Sequence, residues 1–301
     1  MKGISSEIIN DPAHKRRFVR LKRSRLTDTA DQQGFKVGFA CEREDREKSY
    51  RLVYERYRDV GLIHGPPGGM WFTVYHALPN SRTAVALMKG ADGSPVSTST
   101  LIEDSEIGLP SDTIYKDKID ALRQKGRRVA EVSCLAALPV DRGRNSFLHV
   151  FRLMGLYCLY RGVDDLIISV HPKHTQFYQD ILLFEPIGEM RYYPYLKDAP
   201  AVLEHLEMRT APERYQRTFS HYPSECNMAL FMLGKDLIYL KRLEELIGSL
   251  DCKNSMSYND FFYFFVEKKP IWQEIDAKKR TFFEKLYPGL TAFIKRRLNK
   301  N

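Results

Sequence analysis

No C-x-x-C pair, no long apolar run and no glycine-rich phosphate loop occur in this chain of 301 residues. Its five cysteines (Cys41, Cys134, Cys158, Cys226 and Cys252) are odd in number and widely spaced. That argues against a disulfide framework or a thiolate zinc site and fits a reducing cytoplasm. The G-x-S-x-G elbow, the P-loop and the G-x-G-x-x-G fingerprint are all missing, so hydrolase, NTPase and dinucleotide-binding readings have no support. The most apolar short stretch, Phe261 to Val266, is far too short to cross a bilayer. Leu26 to Asp31 is polar where a signal peptide would carry its apolar core, so a soluble protein without a secretory signal is expected. Acidic residues are in deficit, 38 against 47 Lys and Arg, for a formal net charge of +9. The excess suggests an acidic partner: nucleic acid, an anionic membrane surface or an acidic protein. Part of it is concentrated between His14 and Arg25, and residues 1–34 read as a basic flexible arm.

What is present is more specific. Hydrophobic residues make up 43% of the chain, enough for a real core. Within that apolar material, Gly126 to Leu138 has the composition of a buried strand with a carboxylate, Glu131, in its middle. An ionised carboxylate in a protein interior costs several kcal/mol unless it is paired, hydrogen-bonded or facing a wet cleft. Strand alternation places Glu131, Ser133 and Leu135 on one face and Ala130, Val132 and Cys134 on the other. Two readings follow: a site in which Glu131 and Ser133 face one cleft, or a structural ion pair between Glu131 and a neighbouring arginine.

The surrounding pattern predicts a helix over Glu42–Asp59, with Tyr50, Val53, Tyr54 and Tyr57 on one face. Strands are expected at Trp71–Ala77, Thr83–Met88 and Pro95–Ile102, an antiparallel meander. A helix over Asp112–Gln124, capped by Ser111 or Asp112, leads to the strand of Glu131. Then come a helix (Asn145–Arg161), a strand (Asp165–Val170), a helix (Lys173–Leu182) and strands around Pro186–Tyr195 and Ala201–Met208. Two β-α-β crossovers imply a parallel pair in the middle of a mixed sheet. After Pro212 strand patterns vanish, and helices are expected at Met228–Leu250, Asp260–Lys268 and Ile271–Leu298, broken at Pro270 and Pro288. The division read from this is an arm (1–34), a core (35–210) and a helical extension (211–301).

The element order resembles the GNAT superfamily of acyltransferases and, within it, the long-chain N-acyl amino acid synthases of FeeM type, cousins of the acyl-homoserine lactone synthases. The residues that carry the likeness are Tyr50 to Tyr57, Ser97 to Leu101, Gly108 to Asp112, Arg128 to Leu135 and His171 to Tyr178, within a span from Lys36 to Met208. The resemblance implies an α/β (α+β) fold: a GNAT-like mixed sheet whose parallel central strands splay apart, with flanking helices. It also implies an acyl donor carried on the phosphopantetheine of an acyl carrier protein, no permanently bound cofactor or metal, and a free amino acid as acceptor.

The pantetheine arm would lie between the strand of Glu131 and that of Ser169 and Val170. Backbone N–H groups near Cys134 and Leu135 would meet the thioester carbonyl. In this picture Glu131 is the base, directly or through a water, and Ser133 orients the water or the amine. Tyr178 either protonates the leaving thiolate or is a core tyrosine. Cys134 and Thr100 stand where homoserine lactone synthases carry arginines, which argues against S-adenosylmethionine as acceptor. The turn Asp141 to Asn145 has one glycine, a poor pyrophosphate cradle. Arg142, Arg144, Arg152 and Lys173 either dock an acidic carrier protein or form a solvated basic face.

Rival readings are a nucleophilic Cys134 with His171 or His174 as base, which alternation disfavours by turning Cys134 away from Glu131; a nucleic-acid or membrane-surface binder led by the basic arm; and a non-catalytic carrier-protein binder. The extension has three compatible roles: covering the acyl group, contacting the carrier protein, or dimerising.

Overall fold

The computed structural model describes residues 12–24, 26, 34–138, 145–234, 241, 244–248, 250 and 255–299. At its centre is a twisted sheet in the order β1-β2-β3-β4-β5-β8-β6, with β7 pairing the other end of β8. The strands are β1 (Lys36–Phe39), β2 (Thr83–Lys89), β3 (Pro95–Glu103), β4 (Val129–Ala137), β5 (Asp165–Val170), β6 (Glu185–Pro186), β7 (Arg191–Tyr193) and β8 (Ala199–Glu207). Every pairing is antiparallel except β4 with β5.

That parallel ladder is short. It joins Val129 to Asp165, Ala130 to Leu166 and Glu131 to Ile167, and then stops, although both strands continue. The cause lies on the other edge of β4. Between Thr98 and Thr100 of β3 the register shifts, so that Ser133 opposes Thr100 but Ala136 opposes Thr98. The extra residue is accommodated with Cys134 in the left-handed region (φ 51°). Such a bulge bends and twists the strand that carries it. Here it turns β4 off β5 and opens the sheet just beyond Glu131.

Helices cover both faces. On one lie α1 (Pro12–Lys22), α4 (Ser146–Arg161), α5 (Pro172–Ile181), α6 (Ala211–Phe219) and α7 (Met228–Leu233), packed with Ala84, Ala86, Ala130 and Val132. On the other lie α2 (Arg43–Asp59), α3 (Asp112–Gln124) and the last part of the extension. That part comprises α8 (Tyr258–Phe262), a π-helical turn (Tyr263–Lys268), α9 (Ile271–Glu274), α10 (Ala277–Leu286) and α11 (Leu290–Leu298). Local chemistry fixes the ends. Glu44 and Asp45 open α2 and Arg56 and Arg58 close it, matching the helix dipole. Gly162, at φ 67°, terminates α4. His171 caps α5 by accepting the Lys173 N–H, with Pro172 at the first helical position. The extension therefore clasps the sheet from both sides. On the α2 face it does so with aromatic rings: Phe264 lies 5.3 Å from Tyr50 and Phe265 lies 5.4 Å from Phe72, centroid to centroid.

Three expectations are corrected. Trp71–Ala77 is not a strand; Val74–Ala77 form a 3-10 turn. The Thr73 N–H donates to His76 Nδ1 (3.1 Å), and His76 Nε2 lies 3.2 Å from Thr100 Oγ1, so a histidine-closed turn overrides β propensity and β1 completes the meander instead. Only one crossover is parallel, because α3 joins β3 and β4, which run antiparallel. The part of the basic arm between Pro12 and Lys22 is a docked helix. Phe18 and Leu21, three apart, form an apolar stripe beneath its charges, and Arg16 (3.2 Å) and Arg17 (2.9 Å) bond Asp180 of α5. Residues 1–11 lie outside those described. No helix among the described residues is long and apolar enough to cross a membrane.

Candidate active site

Glu131 sits at the last rung of the parallel ladder and is 3% exposed. Its two oxygens are held by one residue. Oε2 accepts the Ser111 backbone N–H (2.9 Å) and Oε1 accepts the Ser111 hydroxyl (2.8 Å). Ser111 immediately precedes α3 and spends its hydroxyl on Glu131 rather than on capping its own helix. The same oxygen lies 2.7 Å from Ser169 Oγ and 3.0 Å from the Tyr193 hydroxyl. With its one proton given to Glu131, Ser111 accepts from Ser169 and Tyr193, so a relay of hydroxyls converges on the carboxylate. No ion pair to Glu131 occurs among the described residues, where Ser111 takes the place the arginine-pair reading gave to a cation. Burial, against the two Ser111 bonds, pushes the Glu131 carboxyl up to about 8.

The opening between β4 and β5 is a cleft of about 560 Å³. It brings together every core residue expected on the two strands: Glu131, Ser133, Cys134 and Leu135 on one wall, Ser169 and Val170 on the other. From Val132 onward β4 pairs with β3 alone, leaving its other edge to the cleft. Ser133 is half-buried, with its hydroxyl 3.7 Å from the Cys134 sulfur and no bond to Glu131.

Alternation placed Cys134 on the far face, and the bulge reverses this. Its side chain packs with Leu52 and Val53 of α2, on the Glu131 side, where the Glu131 charge acts on it. The thiol is nonetheless a poor nucleophile. Burial pushes it up to about 11, against hydrogen bonds with Ser133 and Trp71. His171 Nδ1 accepts the Lys173 N–H and His171 meets His174 edge-on at 6.3 Å; among the described residues no hydrogen bond joins either to Cys134.

Tyr178 lines the cleft and is also a core ring, edge-on to Phe147, Phe177 and Phe184. Burial first, and then the Glu204 charge, raise its hydroxyl pKa, keeping it in the proton-donating form. Lys173 lies exposed at the rim. Arg152 is elsewhere, its guanidinium 5.3 Å over the Phe231 ring, and Arg142 and Arg144 lie outside the described residues. A second pocket, of about 280 Å³, adjoins the cleft through Arg56 and Ala137 and is walled by Arg20 of α1 and Phe147 of α4. Ser111 had appeared in the sequence as a helix cap within the Gly108–Asp112 stretch, with no role at the site. Tyr193, which had carried no signal beyond its place in an expected strand, joins it here.

A family model described as N-acyl amino acid synthase FeeM matches residues 48–207. The chain belongs to the FeeM family of N-acyl amino acid synthases. Every site residue above except Arg20 falls within that span, and α1 and the extension fall outside it. Among solved structures, FeeM from uncultured soil microbes superimposes with a TM-score of 0.50 at 23% identity, over 60% of this chain and 93% of that one. A CoA-dependent acyl-homoserine lactone synthase, BjaI, with SAM and isopentyl-CoA, gives 0.44 at 15% identity, over 61% and 90%. An acetyltransferase of the GNAT family from Staphylococcus aureus gives 0.40 at 10% identity, over 58% and 99%. No curated protein matches. This chain thus has the mixed-sheet fold of FeeM and is an acyltransferase.

Proposed function

We propose that the protein transfers a long-chain acyl group from the phosphopantetheine thioester of an acyl carrier protein to the amine of a free amino acid, giving an N-acyl amino acid. The observation that carries the reading is the buried Glu131, raised towards neutrality and held by Ser111 at the head of a cleft between splayed strands. An amino acid arrives as an ammonium, and Glu131, directly or through a water, takes its proton. Ser169 and Tyr193 stabilise the carboxylate through Ser111 until then. The freed amine attacks the thioester carbonyl. The oxyanion is met by N–H groups on the open edge of β4 near Cys134 and Leu135. Attack leaves an extra proton on nitrogen; collapse expels the pantetheine thiolate, which takes its proton from Tyr178, while the nitrogen proton passes through water to restore the Tyr178 hydroxyl, and Ser133 orients the incoming amine. Lys173, Arg142, Arg144 and Arg152 are our candidates for contacting the acidic carrier protein. Arg20 and Arg56 are added where the second pocket leads out of the cleft. We assign catalysis to residues 35–210 and the protein to the cytoplasm, where carrier proteins and free amino acids meet.

The test is mass spectrometry of the reaction of long-chain acyl carrier protein with a mixture of the proteinogenic amino acids, with Glu131→Gln alongside. An N-acyl amino acid formed by the wild type, and slower by on the order of a hundredfold in the variant, is expected. Full activity of the variant would remove Glu131 from the mechanism. No product with any amine would overturn the reading.

A further inference from the structure

Lys269 belongs to the extension, beyond the family-matched residues, yet it reaches back to the core. Its ammonium donates to the Phe72 carbonyl (3.1 Å) and stands 5.0 Å from the ring centroids of both Trp71 and Phe72. It is half-buried and makes no ion pair among the described residues. An ammonium carries three donors, and a single carbonyl with two ring faces leaves it short of acceptors in a place partly shielded from water. Other cations near the cleft differ. Arg56 is paired with Asp59, and Arg123 with Asp104, Asp112 and Asp120. Lys173 and Lys197 line the cleft as exposed residues.

The surroundings of Lys269 connect to the reacting end. Trp71 is a wall of the main cleft, and Thr73 lines both that cleft and the open pocket of about 410 Å³ in which Lys269 lies, with Glu274 in the same pocket acting on the ammonium through space but not within ion-pair distance. Glu131 and Lys269 both act electrostatically on the Cys134 thiol, so Cys134 stands within the field of both charges. A methionine would pack against the same rings without desolvating a charge, so ring packing alone does not account for a lysine here.

We infer that Lys269 is a specificity-determining residue that binds the carboxylate of the amino acid acceptor while its amine lies at Glu131. This rests on the N-acyl amino acid reading and extends it by giving the extension a part in the active site. An α-amino acid presents an ammonium and a carboxylate a short distance apart, the first suited to the base Glu131 and the second to the cation Lys269. The neighbouring rings would keep the carboxylate pair from being screened by water.

The experiment compares wild type, Lys269→Met and Lys269→Arg on an amino acid and on its carboxamide, with long-chain acyl carrier protein as donor. The wild type is expected to prefer the acid, and Lys269→Met to lose that preference through a KM for the acid raised roughly ten- to a hundredfold. The carboxamide rate and the KM for the carrier protein are expected to stay within about threefold, and Lys269→Arg to restore part of the preference. A wild type that acylates acid and carboxamide equally, or a Lys269→Met that keeps the preference, overturns the inference while leaving acyl transfer intact. If Lys269→Met does not fold, the wild-type preference and the Arg variant carry the comparison. If no amine is acylated, the proposed function fails. Calorimetric binding of the amino acid against its carboxamide then decides about Lys269 alone: tighter binding of the acid that is lost in the variant supports it, and equal binding refutes it.

Discussion

Replacing Glu131 by glutamine is expected to make the protein more stable, increasingly so as the pH rises. The Glu131 carboxyl is shifted from 4.5 to about 8 in the folded chain. A raised folded value means that stability is undiminished below about pH 4.5, where the group is neutral folded and unfolded alike. Between there and about pH 8 the unfolded chain releases the proton while the folded chain retains it, and stability falls by about 1.4 kcal/mol per pH unit. Above about pH 8 the loss levels off, having reached up to about 5 kcal/mol. Glutamine does not ionise and fits the same partners: its oxygen can accept the Ser111 N–H, and its amide can donate to the Ser111 hydroxyl, which turns to Ser169 or Tyr193. The stability gap between variant and wild type should therefore widen by about 3 kcal/mol between about pH 5.5 and about pH 8.5. In a chain of this size that is a growth in the Tm difference of roughly 5–10 °C. Thermal melts of both proteins across that range measure it. A gap that does not change with pH, or a variant less stable at the alkaline end, would show that the carboxylate is ionised and held by Ser111, and the argument for a base near neutrality would fall.

Three further outcomes are expected. The wild-type kcat/KM for the amine should rise about tenfold per pH unit below about pH 8 and flatten above it, as a base that must be deprotonated requires; a flat profile from pH 6 upward, in rough terms, would contradict that role. Ser111→Ala removes one donor to Glu131 and breaks the relay from Ser169 and Tyr193, so the rise should move to higher pH and the rate near neutrality fall on the order of tenfold; pH–rate profiles of the pair check this, and an unshifted midpoint would count against the relay. Cys134→Ala should retain activity within about threefold, and mass spectrometry of the wild type should find no acyl group on Cys134, because burial pushes the thiol up to about 11.

Glu131 was legible because a carboxylate inside an apolar run is a conflict that only a site or a partner resolves. The helices α2 to α5 and strands β2 to β5 follow from periodicity, caps and glycine stops, all of them local signals. What the sequence concealed is non-local or stereochemically irregular. Ser111 is 20 positions from Glu131, and Tyr193 is 82 from Ser111, so no spacing rule connects them. The bulge sits on a cysteine with φ 51°, with no glycine or asparagine to announce it, and it moved Cys134 to the opposite face from the one alternation gives. His76 turned a stretch rich in β-formers into a 3-10 turn through contacts with Thr73 and Thr100. Charge density hid the helix at Pro12–Lys22, because its two core-facing residues, Phe18 and Leu21, are few against its cations.

The clasp formed by the extension bears on how the chain assembles and how it can be cut. The rings of Phe261, Phe264 and Phe265 rest on β2, α2 and the segment of Phe72, so the last helices need that surface in order to be buried. A truncation at the family boundary would keep Glu131, Ser111 and Tyr178 but bare the aromatic surface around Tyr50 and Phe72 to solvent. Such a fragment would carry the candidate site on a molecule prone to self-association. The shortest well-behaved fragment obtainable from this sequence would then be set by the burial of phenylalanines, well beyond the candidate site.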